Sequence, residues 1–169
     1  MLCAGVTAYS ALRKSGAMSG DWAVMMGAGG GLRHLGHLAC LIASRSMGMR
    51  VIGIDSHEKK DFVLASGAER FIDYRSDDLK AGVLDITNHV GARAAFVLTA
   101  SHSAYASALS LPKSGGTLVC VGIPDGPFMP ISTACPQGLI ARALTIIGVI
   151  VGDRKDAVEM MELAKRGIV

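Results

Sequence analysis

The chain has 169 residues, 50% hydrophobic and 18% charged, which supports a packed core and excludes a disordered class. Its 17 Lys and Arg against 14 Asp and Glu leave a net charge of only +3, too weak a field for electrostatic nucleic-acid binding. The longest apolar stretch, near Leu144 to Val151, falls far short of the roughly 20 residues that span a membrane.

The first predicted strand is the apolar run Ala23 to Met26, which ends at Gly27-Ala28-Gly29-Gly30-Gly31. A long apolar helix follows, Leu32 to Met47. The second strand, Arg50 to Ile54, ends at Asp55. A polar helix covers Glu58 to Ser66, and Gly67 stops it. Arg70 to Asp73 is a short third strand. Asp77 to His89 reads as a helix, with Leu79, Val83, Ile86 and Val90 at helical spacing. Asp77 and Asp78 open it, as the helix dipole favours, so neither is needed as a catalytic acid. Ala94 to Leu98 is the fourth strand, and Ser101 caps a helix from Ala104 to Leu111. Lys113 to Gly116 is a turn before the fifth strand, Thr117 to Val121. A Gly/Pro-rich loop runs from Gly122 to Pro130. Leu144 to Val149 is the sixth strand, and Asp153 caps a last helix, Lys155 to Arg166.

Strands without polar alternation, separated by helices, predict a parallel sheet covered on both faces. Six of them make a doubly wound α/β fold of Rossmann type, one domain over residues 1–169, with its site at the C-terminal strand ends. The N-terminus has no basic region followed by an apolar run, so no leader is expected. Four cysteines, Cys3, Cys40, Cys120 and Cys135, form no CxxC pair, and a reducing cytoplasmic setting is expected.

The glycine loop between the first strand and first long helix lets backbone approach a pyrophosphate at the helix N-terminus. A carboxylate at Asp55 accepts hydrogen bonds from ribose hydroxyls and repels a 2′-phosphate, which favours NAD over NADP. The loop departs from a strict GxGxxG. One alignment places the third glycine at Gly36, 19 residues before Asp55, with Arg33-His34-Leu35 as extra residues. The other places Arg33 there, which forces a large side chain into a close helix–strand contact. His34, His37 and Cys40 are spaced by three. Cys40 then lies off the face shared by the histidines, so a metal site is not expected.

Five stretches together resemble the coenzyme-binding domain of zinc-dependent, medium-chain alcohol dehydrogenases, the fungal tetrameric enzymes above all. They are Leu2 to Tyr9, Gly27 to Leu32, Met49 to Asp55, Gly115 to Gly122 and Ile147 to Arg154. The resemblance implies a hydride transfer between an alcohol and NAD, with zinc polarising the alcohol oxygen. It implies NAD contacts at Thr7, Gly27, Gly29, Gly30, Gly31, Leu32, Asp55, Lys60, Val121, Gly122 and Ile123. Thr7 then touches the nicotinamide, Asp55 and Lys60 hold the adenosine ribose, and Val121-Gly122-Ile123 lie beside the nicotinamide ring. Cys3 resembles the third ligand of the family's catalytic zinc. The other two ligands belong to a catalytic domain that precedes this region in the family, so Cys3 is expected to hold no zinc here. The expectation is a truncated, inactive dehydrogenase with no catalytic residue of its own. The alternative is a standalone NAD-binding or dimerisation module that pairs through Leu144 to Val149, as sixth strands do in the family. Cys3-Ala4-Gly5 argues against a zinc-free reductase. A bare apolar face around Val6 and Tyr9 is expected to limit solubility.

Overall fold

The apolar runs become six strands in a computed structural model that describes residues 3–30 and 34–169. These are β1 (Trp22–Met26), β2 (Arg50–Asp55), β3 (Arg70–Asp73), β4 (Ala92–Val97), β5 (Pro112–Cys120) and β6 (Thr145–Gly148). They form one sheet in the order β3-β2-β1-β4-β5-β6, and every pairing is parallel. β1 lies between β2 and β4, with Met26 level with both Ile54 and Val97. The chain winds outward to β3 and then crosses back to β4. A crevice therefore opens at the C-terminal ends of β1 and β4, where the winding reverses.

Alternate strand residues feed opposite cores. Ala23, Met25, Val51, Ala94, Phe96 and Val119 pack with Val6, Leu12, Ala39, Ile42, Val63 and Met160. These partners come from α1 (Ala4–Lys14), α2 (Leu35–Leu41) with its π-helical extension Ile42–Ser46, α3 (Lys60–Ala65) and α7 (Arg154–Lys165). Val24, Met26, Ile52, Ile54, Ala95, Val97 and Leu118 pack on the other face with Val83, Tyr105 and Ala108, from α4 (Leu79–Ile86) and α5 (His102–Ala108). Leu139 of α6 (Pro136–Arg142) joins that face. Each large aliphatic side chain buried this way contributes about 1.5–3 kcal/mol. Both faces are covered, so the strands carry no polar alternation.

Ser101 accepts from Ala104 N–H at 3.3 Å, as predicted for its helix. Asp153 accepts from Asp156 N–H at 2.8 Å while the Asp156 carboxylate accepts from Asp153 N–H at 3.2 Å, a full capping box. Gly67 has φ +96°, the left-handed turn that ends its helix.

Several boundaries differ from the sequence reading. α1 and α6 are additional helices. The long helix predicted from Leu32 starts at Leu35 in the described residues and continues as π-helix from Ile42 to Ser46. The turn predicted at Lys113 to Gly116 lies inside β5, where the register shifts opposite Ala92 and Ala94. Gly115, at φ +73°, makes that irregularity, and the Arg93 guanidinium donates to its carbonyl at 2.8 Å. The expected bare face around Val6 and Tyr9 is overturned. α7 covers α1, leaving Val6 2% exposed, and the Tyr9 hydroxyl donates to Glu159 at 2.9 Å. Arg13 pairs with both Asp156, at 2.9 Å, and Glu159, at 2.8 Å. No helix of the described residues is long and apolar enough to cross a membrane.

Candidate nucleotide site

Two clefts open along the C-terminal edge of the sheet. The first, about 610 Å³, is lined by Gly27, Asp55, Lys59, Tyr74, Leu79, Thr99, Ser101, Ser103 and neighbouring residues. The second, about 580 Å³, is lined by His102, Tyr105, Cys120, Val121, Gly122, Ile123, Gly148 to Ile150 and the Gly/Pro-rich loop.

Asp55 is the last residue of β2 and is buried. Its Oδ2 accepts from Gly29 N–H at 2.8 Å, and its Oδ1 accepts from Ser56 N–H at 2.8 Å. The acid and the glycine loop are thus held together. The lysine at its side is Lys59, whose Nζ stands 3.4 Å from Oδ1. Lys60, the residue of the sequence expectation, begins α3, is exposed, and joins no ion pair among the described residues.

The glycine loop leaves β1 through Gly27, at φ +86°, whose N–H donates to the Ile54 carbonyl at 2.9 Å. Gly36 lies close against the end of β1. A Cβ there would come within 2.8 Å of the Ala28 carbonyl carbon and oxygen, and closer still to the Gly27 carbonyl oxygen. Gly36 therefore makes a close helix–strand contact of the kind assigned to the third glycine, as the first alignment expects. His34 precedes α2 in the left-handed conformation, at φ 71°. Gly31 and Leu32, expected in the phosphate loop, lie outside the described residues, as does Arg33.

At the end of β5, Val121 and Gly122 both donate N–H to the Val97 carbonyl, at 3.2 and 2.9 Å. A Cβ at Gly122 would come within 2.9 Å of Thr99 N, so the two strand ends approach as only glycine permits. The Tyr105 hydroxyl donates to the Gly122 carbonyl, and burial pushes its ionisation well above the usual range. Ile123 is exposed at the mouth of the second cleft. These contacts hold the β4 and β5 ends as one ledge. Sequence reasoning found its β5 half and missed Thr99 and Tyr105 on the adjoining elements.

Cys3 precedes α1 at its N-cap, Thr7 lies in the helix, and neither lines these clefts. Cys3 is exposed, and the Thr7 hydroxyl donates to its carbonyl at 2.8 Å. Among the described residues no group of three His, Cys, Asp or Glu side chains could hold a metal ion. Cys40 is fully buried, and burial followed by the charge of Asp55 pushes its thiol up to about 12. The His34 and His37 rings meet edge-on at 5.3 Å, and burial holds His37 below the usual imidazole range.

The family profile described as zinc-binding dehydrogenase matches residues 35–166. Alcohol dehydrogenase 2 of Emericella nidulans is 44% identical over 177 aligned residues, covering 100% of this chain and 47% of that protein. Alcohol dehydrogenase of Schizosaccharomyces pombe is 37% identical, covering 100% and 47%. Among solved structures, the alcohol dehydrogenase of Aeropyrum pernix superimposes with a TM-score of 0.85 at 26% identity, over 99% of this chain and 46% of that one. The chain spans about half the length of the curated relatives it matches.

Proposed function

Because this chain belongs to the zinc-binding dehydrogenase family and corresponds to the NAD-binding portion of a zinc-type alcohol dehydrogenase, we propose that it binds NAD along its two clefts. The reading takes residues 1–169 as one NAD-binding unit. The observation that carries it is Asp55, buried at the end of β2 and bonded to the glycine loop beside an open cleft. Its Oδ1 faces Lys59 across 3.4 Å, a partner that ribose hydroxyls can replace. Gly30 leaves space above the backbone for a pyrophosphate, while the Lys59 stem lies over Gly29 and Thr99 lies against Gly27. Val121, Gly122 and Ile123 line the second cleft, the nicotinamide side in this reading, and Thr7, which lines neither cleft, is assigned to the nicotinamide by the resemblance alone. The coenzyme, when bound, supplies a hydride acceptor. The chain's own residues orient it and exclude water beneath it. The reaction this coenzyme site would serve, in a protein that carries all the zinc ligands, is oxidation of a primary or secondary alcohol.

Zinc does not fit these residues alone. Cys3 is a single exposed thiol, and a catalytic zinc takes about three protein ligands. The 169 residues by themselves are therefore expected to bind coenzyme and to leave alcohol unoxidised in the presence of zinc. Changing Asp55 to Asn tests the binding reading. It is expected to weaken NAD about ten-fold or more while narrowing the preference against NADP, as charged hydrogen bonds of this type dictate. Unchanged NAD affinity in that variant would refute the assignment.

A second reading rests on the edge position of β6. Among the described residues β6 pairs only with β5, and Ile150 just beyond it is 76% exposed. We propose that two copies pair through these edges.

A further inference from the structure

The coenzyme reading above is the basis for a role of one residue outside it. The 3₁₀ turn His57–Lys59 directs Lys59 back over the glycine loop. Its stem lies on Gly29, where a Cβ would come within 2.7 Å of the Lys59 Cβ. Its Nζ stands 3.4 Å from Asp55 Oδ1 and 3.8 Å from the position of a Cβ on Gly30. The ammonium thus sits between the ribose-binding acid and the backbone over which a pyrophosphate lies. Lys60 is not part of the cleft lining.

We infer that Lys59 is the clamp for the coenzyme's pyrophosphate, held on Asp55 while the site is empty. Ribose hydroxyls need Asp55 Oδ1 and displace the ammonium. The only anion that arrives with them is the pyrophosphate, and the flexible lysine stem reaches it by swinging across Gly29. α2 starts at Leu35, and His34 ahead of it offers no side-chain cap. A mobile charge at Lys59 replaces anchoring that a regular loop supplies from the helix end.

The test titrates the 169-residue chain with ADP-ribose, which carries the pyrophosphate, and with adenosine, which does not. Lys59→Met is expected to weaken ADP-ribose about ten-fold and to leave adenosine unchanged or tighter, since Asp55 is released. Lys59→Arg is expected to recover most of the loss. Lys165→Met, at an exposed position on the last helix, is expected to stay within about two-fold of the parent chain. Equal losses in the Lys59→Met and Lys165→Met variants, or a loss of adenosine matching that of ADP-ribose, would overturn the clamp while sparing the coenzyme reading. Failure of the unsubstituted chain to bind ADP-ribose would overturn both. Thermal unfolding of each variant separates lost binding from lost fold.

Discussion

Gly36 shows how one residue bears on two readings of the loop. Sequence spacing alone leaves Gly36 and Arg33 as rival occupants of the helix–strand contact. The distances to Gly27 and Ala28 favour Gly36, because backbone oxygens cannot move aside for a side chain, while Arg33 lies outside the described residues. Gly36→Ala is therefore expected to cost about 1–3 kcal/mol in urea unfolding and to weaken coenzyme binding with it. A variant as stable as the parent would show that the contact is looser than described. Asp55 was legible from its place at the end of an apolar strand. The Lys59 ion pair beside it was not, because it depends on the 3₁₀ turn, which hydrophobic pattern does not record; the ribose role that the resemblance implies for Lys60 stays a proposal.

The strands were legible as elements because burial on both faces demands unbroken apolar runs. α1 was not. Its buried side includes Gly5, Thr7, Ala8 and Ser10, small residues that give little apolar contrast. α6 carries no fully buried residue and so leaves little periodic signal. The last helix, α7, was legible through its cap. Backbone N–H bonding from Asp156 holds the Asp153 carboxyl below the usual range. A depressed folded value adds stability above the unfolded carboxylate range, near pH 4, and that stability is lost as pH falls through the folded value. Asp153→Ala is expected to lower the thermal midpoint by a few degrees at neutral pH, with the difference from the parent shrinking in acid. A pH-independent difference would argue against the carboxylate cap.

For the whole molecule, the winding order places the C-terminal ends of β1 and β4 at a reversal, and both clefts open along that edge. The opposite, edge-on consequence of the same sheet is the open side of β6. Light scattering is expected to give twice the 17.5 kDa chain mass, and Ile150→Lys is expected to return the single-chain value. A monomeric parent chain would remove the pairing reading. The account as a whole stands on coenzyme binding. Its most direct test is calorimetric titration of NAD into the 169-residue chain. Saturable binding of one NAD per chain, weakened by Asp55→Asn, is the predicted result. No heat of binding from a folded chain at millimolar NAD would contradict the account.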